Sequence, residues 1–157
     1  MLEKIGDLPA HPLIVHLPIV LGPVVGLLTL LCVVPKWRSR LLWPTAGLAV
    51  LFAFSAVLAA ASGENFAETL QIGDAIKDHE EAAETLRLIG IVLAIVTVAV
   101  AALGSRLKGL VQTGAVLLVA LLGVATIGFT IKTGHEGAKA VWKAPFEAAE
   151  EAQDAGQ

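Results

Sequence analysis

Long apolar stretches separated by short polar segments dominate the chain. Four such stretches occur, at about residues 12–35, 41–62, 85–105 and 109–133, and charged side chains lie only near their ends. A helix needs about 20 apolar residues to cross the roughly 30 Å hydrocarbon core of a bilayer. The pattern therefore predicts an all-α protein, a four-helix transmembrane bundle in up-down-up-down order. We expect one membrane domain over residues 1–144, followed by an acidic tail over 145–157.

The second stretch carries small residues at alternating spacings of three and four, which place them on one face of a helix. They are Ala46, Ala49, Ala53, Ala56, Ala60 and Gly63. Small residues let membrane helices approach closely and pack. The same stripe would also suit one wall of a slot for a flat ligand, and the spacing does not separate these two interpretations.

Two further stripes each contain a histidine. A helix predicted to start near Asp74 and to continue into the third span has an apolar stripe that includes His79. Its members are Ile72, Ile76, His79, Ala83, Leu86 and Gly90. In the fourth span, one face carries Val124, Gly128, Ile131 and His135. We expect both histidines to face the bundle.

Composition supports a membrane protein. Hydrophobic residues make up 56% of the 157 residues, charged residues 16%, and the mean hydropathy is +0.78. These values exclude an ordinary soluble domain, and the scattered basic residues exclude a nucleic-acid footprint. The single Cys32 cannot form an intramolecular disulfide, and without a Cys-x-x-Cys-His motif the chain cannot attach a c-type haem. The acidic residues of the N-terminal tail argue against a removable signal peptide.

The charge pattern predicts an orientation. The segments 35–40 and 105–109 are short and purely basic, whereas all 14 acidic residues lie in the N-terminal tail, the middle connection or the region after Ile131. Short basic turns favour the cytoplasmic side of a membrane. We therefore predict that both termini and the middle connection are extracytoplasmic.

All the histidines of the chain fall at one end of the predicted bundle. His11 and His16 open the first span, His79 precedes the third and His135 closes the fourth. Imidazole is a common ligand for transition metals and haem iron, and ionisable groups at membrane depth often have a function. The sequence therefore predicts a shared site formed by these four histidines.

Two motifs resemble a known family. The segment His11-Pro-Leu-Ile-Val-His-Leu-Pro18 resembles an HP-x-x-V-H-[FL]-P signature, and Gly134-His-Glu-Gly-Ala-Lys-Ala-Val-Trp142 is similar to G-H-x-G-[AG]-x-L-V-[YW]. Both belong to the small four-helix bacterial membrane proteins called domain of unknown function 2231, and the resemblance covers about residues 8–143. The chain departs from the family pattern at Ala140, Trp142 and Pro145. The resemblance implies a multi-pass protein of the bacterial plasma (inner) membrane and haem binding, which is suspected for members of the family.

Our leading hypothesis is a membrane-embedded electron-transfer protein that binds b-type haem. Inward-facing imidazoles of a four-helix bundle can supply axial ligands to iron, and small residues on spans two and four would make room for the ring. We favour His16 and His79 as the axial pair, with His11 and His135 orienting them, holding propionates or binding a second haem. We expect an electron carrier or a subunit rather than a stand-alone enzyme. Its partners would be quinol, a periplasmic cytochrome or respiratory-complex subunits, and a homo-oligomer stays open.

Two alternatives remain. A single transition-metal ion, zinc, copper or iron, could be held by the four histidines with Glu80 or Glu136 nearby, although the spacing is not that of a familiar ion site. The chain could also be a non-catalytic subunit of a larger respiratory or transport complex whose histidines bind nothing.

Overall fold

The protein is a bundle of long helices. The structure, a computed structural model, describes residues 4–5, 7–70, 72, 76–104 and 106–155. Its helices are α1 (Ala10–Ile14), α2 (His16–Leu31), α3 (Pro35–Leu70), α4 (Lys77–Leu103) and α5 (Gly109–Ala155). A two-residue strand β1 (Lys4–Ile5) pairs antiparallel with β2 (Leu8–Pro9) before the first helix.

Four helical stretches are long and apolar enough to cross a membrane, which confirms the predicted fold class. They are Ala10–Leu31, Pro35–Thr69, Lys77–Leu103 and Gly109–Asp154. The first combines α1 and α2, which are separated at Val15. Pro18 has no N–H to donate to the carbonyl of Ile14, so the regular hydrogen-bond ladder is interrupted there. The side of the membrane on which each end lies stays a prediction.

The four long helices pack in a ring. Helix α2 contacts α3 and α5, and α4 contacts α3 and α5, so each long helix lies between two others. Short connections make successive helices antiparallel. One end of the bundle therefore collects α1, the end of α3, the start of α4 and the last part of α5. We call this end the histidine end, since all four histidines belong to it.

Phe52 on α3 fills the middle of the bundle. Its ring is fully buried and lies against two glycines, Gly22 on α2 and Gly90 on α4. A Cβ atom on Gly90 would lie 2.8 Å from Cε1 of Phe52. Glycine is required there because only its backbone can come this close to the ring. The small stripe of α3 also faces inward, as predicted: Ala46, Ala49, Ala53 and Ala56 are buried.

Most buried hydroxyl groups in the core donate within their own helices. Thr97 Oγ1 donates to the carbonyl of Leu93, Thr126 to that of Leu122 and Thr130 to that of Thr126. Such bonds to the preceding turn leave no free polar group in the apolar environment. These threonines therefore act as packing residues in the membrane core.

Two helices extend well beyond the apolar stretches that predict them. Helix α3 continues to Leu70. Helix α5 continues through Pro145 to Ala155, although the sequence predicts only an acidic tail after residue 144. The tail is rich in Ala and Glu, which favour helix, and the side chains of residues 145–154 are exposed. Helix α4 begins at Lys77 after one 3-10 residue, Ile76, and the predicted start near Asp74 lies outside the described residues.

The stripe of the fourth span, from Val124 to His135, forms one face of α5, and this face points away from the bundle. Val124 is 51% exposed, Ile131 is 65% exposed, and nothing lies within 4 Å of a Cβ placed on Gly128. The expectation that this face turns toward the bundle is wrong. Its apolar residues suit contact with lipid, whereas the inward face of α5 is formed mainly by Val116, Val119, Gly123, Thr126 and Thr130. A spacing pattern identifies a face but not its direction when every face of a helix is apolar.

Candidate histidine site

His11 is held against α3 by its ring. Its Nδ1 atom lies 3.1 Å from the carbonyl oxygen of Ala59 and 3.1 Å from Oγ of Ser62. The ring also stacks on Phe66, with the centroids 5.8 Å apart and the planes at 22°. Gly63 lies directly beneath it, where a Cβ would be 3.0 Å from Cε1 of the imidazole. The half-buried ring thus has one well-defined position.

These contacts fix which nitrogen of a neutral His11 carries the proton. The carbonyl of Ala59 can only accept hydrogen bonds, and the hydroxyl of Ser62 already donates to it at 2.9 Å. Nδ1 of His11 must therefore be the donor to both oxygens. In the neutral ring, Nε2 then keeps its lone pair and is available as a ligand.

His79 has the same arrangement on the other side of the bundle end. Its Nδ1 lies 2.9 Å from the carbonyl oxygen of Thr133 on α5, so Nδ1 donates there as well. Gly137, one turn later on α5, lets the ring approach, because a Cβ there would lie 3.0 Å from both Cε1 and Nδ1 of His79. The prediction that His79 faces the bundle is confirmed, and its Nε2 is also the free nitrogen.

The structure places His11 and His79 at the same end of the bundle, and both rings are half-buried. Each belongs to one helix and donates its Nδ1–H to another helix, from α1 to α3 and from α4 to α5. Metal-ligating histidines usually have this arrangement, in which the second nitrogen donates to a carbonyl and fixes the orientation of the ring. We call His11 and His79 the histidine pair.

His16 and His135 lie apart from this arrangement. His16 is exposed, and its Nδ1 lies 2.6 Å from the carbonyl oxygen of Pro12 in the preceding turn of its own chain segment. His135 is exposed on the outward face of α5. The described contacts join His79 to neither His11 nor His16, and His16 is the residue that the sequence favours as its axial partner. The pairing of His16 with His79 stays a prediction without a contact to support it.

One polar atom near the pair has no partner. Oγ1 of Thr133 is buried and forms no hydrogen bond with the described residues, although the carbonyl of the same residue accepts from His79. A buried hydroxyl without a partner is costly, and such groups often meet a water or a ligand. The neighbourhood of His79 therefore contains a free polar group in addition to a free imidazole nitrogen.

The carboxylates proposed for an ion site do not join the pair. Both carboxylate oxygens of Glu136 accept from Nζ of Lys139 at 3.1 Å. Within the part of the chain that the structure describes, no three residues among His, Cys, Asp and Glu are grouped so that they could hold a metal ion.

The space for a flat ligand is not in the middle of the bundle. There the positions next to Gly22 and Gly90 are filled by Phe52, and Gly123 of α5 packs against Thr29. A Cβ added at Gly114 or Gly128 would meet nothing within 4 Å, so these glycines do not line an interior slot. The expectation that glycines of the fourth span make room for a ring stays a prediction. Any ligand of the histidine pair must lie nearer the histidine end.

Sequence patterns miss the residues that orient the pair. Gly63 ends the small stripe and Ser62 precedes it in the chain, and these positions are their only signal in the sequence. Gly137 lies two residues after His135 in the chain, but it makes room for His79 instead. The backbone carbonyls of Ala59 and Thr133 leave no sequence signal, because every residue has such a group.

Comparison with known proteins gives one match. A family model described as "Predicted membrane protein (DUF2231)" matches residues 7–149. No curated protein and no solved structure matches the chain. The matched range includes all four histidines, the first three spans and most of the fourth.

Proposed function

Because the chain belongs to the DUF2231 family of membrane proteins, whose description names a location and no chemistry, we propose a function from its own geometry: binding of b-type haem by His11 and His79 for electron transfer. One observation carries the proposal. Two half-buried imidazoles from different helices lie at the same end of the bundle, each with its Nδ1–H donated to another helix and with no hydrogen bond from the described residues to its Nε2.

The donor set fits haem better than a bare ion. A porphyrin supplies four nitrogens to iron and leaves two axial positions for the protein, so two imidazoles are sufficient. A structural or catalytic zinc site takes three or four protein ligands, more than the pair provides. The unpartnered hydroxyl of Thr133 would give a polar contact beside His79. A bound haem would supply a one-electron Fe³⁺/Fe²⁺ couple.

The residues around the pair have separate tasks in this proposal. His11 and His79 hold the group. The Ala59 carbonyl and Ser62 orient His11, and the Thr133 carbonyl orients His79. Hydrogen bonds to the second nitrogen also raise the basicity of a ligating imidazole. Phe52 seals the bundle below the site, so the group is reached from the histidine end.

The position of the pair limits the electron path. All four histidines lie at one end, so this chain alone does not hold haems near both membrane faces. Electrons would pass along one surface of the membrane, or between quinol near the interface and a soluble cytochrome on that side. The basic turns at the other end favour an extracytoplasmic position for this surface, in the inner membrane of a bacterium.

A haem titration of the purified protein tests the proposal. We expect saturable binding of one haem per chain in detergent, with a Soret band and sharp α and β bands after reduction. His11→Ala and His79→Ala should each abolish the six-coordinate spectrum, while His135→Ala, the matched control, retains it. No Soret band, or the same spectrum in all variants, would contradict the proposal. A colourless protein with stoichiometric zinc or copper would favour the ion, and neither cofactor would favour a subunit whose histidines bind nothing.

The orientation has its own test. In a Cys32→Ala background, cysteine replaces either Glu68, exposed near the end of α3, or Ser39, exposed near its start. A membrane-impermeant maleimide added to intact spheroplasts should label the Glu68→Cys protein and leave the Ser39→Cys protein unlabelled until lysis. The reverse pattern would place the histidine end in the cytoplasm.

A further inference from the structure

A groove between α3 and α4 lies outside the histidine pair. It has a volume of about 590 Å³ and is lined by Val57, Glu84, Thr85, Arg87, Leu88 and Ile91. Val57, on α3, is 39% exposed and Leu88, on α4, is 63% exposed. The groove is open along the outer surface of the bundle, so in a membrane it faces lipid.

The charged end of the groove lies near the edge of the hydrocarbon. Arg87 is about 24 Å along the axis of α4 from Leu103, where the helix ends at the opposite side. With a hydrocarbon core of roughly 30 Å, Arg87 lies within about one or two turns of the boundary, and its long side chain can reach the headgroup level. The apolar residues Leu88 and Ile91 continue the groove toward the middle of the membrane.

Arg87 and Glu84 present opposite charges side by side without a close bond between them. Nη2 of Arg87 is 3.7 Å from Oε1 of Glu84, which is longer than a hydrogen bond. The two side chains are 35% and 68% exposed, respectively. The hydroxyl of Thr85 donates to the carbonyl of Glu81 and does not compete for either of them. Both charged groups are thus available to a ligand in the groove.

We propose that this groove binds a phospholipid with a primary ammonium headgroup, phosphatidylethanolamine. The guanidinium of Arg87 binds the phosphate, for which its planar set of donors is well suited. The carboxylate of Glu84 accepts from the ammonium group, and an acyl chain lies along Val57, Leu88 and Ile91. A zwitterionic headgroup above an apolar tail matches the order of charges and apolar residues in the groove.

Lipid retention by the purified protein tests the proposal. The full chain is equilibrated in detergent micelles that contain phosphatidylethanolamine, phosphatidylcholine and phosphatidylglycerol with the same acyl chains at equal mole fraction. The lipid bound per protein is measured by mass spectrometry. We expect phosphatidylethanolamine to be retained over the other two, because choline has no N–H to donate and glycerol has no positive charge.

Variants separate the two contacts. Arg87→Gln should weaken phosphatidylethanolamine retention by about tenfold or more, because it removes the charged group that binds the phosphate. Arg87→Lys should retain an intermediate amount. Glu84→Gln should remove the preference for phosphatidylethanolamine over phosphatidylcholine while phosphate binding persists.

Matched controls use exposed charges outside the groove. Lys132→Gln removes a cation that lies over Phe129 on α5, and Glu81→Gln removes an exposed carboxylate of α4. Both should retain lipid like the original protein. Equal retention of the three lipids, unchanged retention in Arg87→Gln, or displacement of the lipid by a stoichiometric amount of a quinone would overturn the proposal. None of these results depends on haem binding.

Discussion

The middle of the bundle and its histidine end use small residues in opposite ways. In the middle, Gly22 and Gly90 receive the ring of Phe52, and the helices close around an apolar side chain. At the histidine end, Gly63 and Gly137 receive the imidazoles of His11 and His79. In the middle, the side chain of Phe52 fills the space beside the glycines and stabilises the fold. At the histidine end, the glycines let two imidazoles take fixed orientations, and no described residue forms a hydrogen bond with their Nε2 atoms.

The comparison shows what a small residue signifies in a membrane helix. The stripe of α3 runs from Ala46 to Gly63 on one face, yet only its last residue lies against an imidazole. The function of each position is decided by the side chain that the neighbouring helix places opposite it. Packing and ligand orientation can therefore share one continuous stripe.

The largest expected effect concerns the packed middle. Phe52→Ala should lower the free energy of unfolding by about 3–5 kcal/mol, because a fully buried ring is replaced by a cavity. Thermal or denaturant unfolding in detergent measures this change. Phe54→Ala is the control, because Phe54 is 61% exposed two residues away on the same helix. Equal losses for the two variants would mean that Phe52 does not seal the core.

Overpacking at a helix contact should lower the free energy of unfolding by a smaller amount. Gly123→Ala should destabilise the fold by about 1–3 kcal/mol, because its new methyl group would collide with Thr29 of α2. Gly128→Ala has open space on the same helix and should be neutral or slightly stabilising, since alanine favours helix. The same unfolding measurement compares the two, and a cost at Gly128 as large as that at Gly123 would refute the packing assigned to α5.

The histidine end should respond in ligand affinity more than in stability. Gly137→Ala places a methyl group against His79 and should weaken haem binding by about tenfold, at the lower end of the range for changes beside a ligand. Gly134→Ala, with nothing within 4 Å, should bind haem normally. Haem titrations of both variants measure the difference. Equal affinities would indicate that His79 does not need its position against α5.

The smallest effect is expected at Ser62. Ser62→Ala removes one of two acceptors of the His11 Nδ1–H and leaves the Ala59 carbonyl, so haem affinity should fall by about two- to tenfold. Ser55→Ala is the control, because Ser55 is a buried serine of the same helix whose hydroxyl donates to Phe52. A change at Ser55 equal to that at Ser62 would assign the effect to the helix and not to the imidazole.

Much of the fold can be predicted from the length of the apolar stretches, because a helix must be long enough to cross the bilayer. The sequence correctly predicts the four spans, their order and the inward direction of His79, since the stripe through Leu86 and Gly90 has polar residues on its other side. The inward face of helix α5 is harder to predict, since its apolar residues surround the whole axis and no polar face marks the outside. The spacing pattern therefore assigns His135 to the wrong side of its helix.

Sequence patterns also do not show which of the two N-terminal histidines turns its ring inward. His16 and His11 are five residues apart near the break between α1 and α2, so the local bend decides which ring turns inward. That bend depends on Pro18 and on the contact of α1 with α3, which is a tertiary interaction. The motif that contains both histidines shows that they occur together and not which of them packs its ring against another helix.

Electron paramagnetic resonance of the ferric, haem-loaded protein tests the central claim most directly. We predict a low-spin signal typical of two imidazole ligands in the original chain and in His16→Ala and His135→Ala. The signal should become high-spin in His11→Ala and in His79→Ala, because each removes one axial nitrogen. A low-spin signal that persists when His11 and His79 are both replaced would contradict the account.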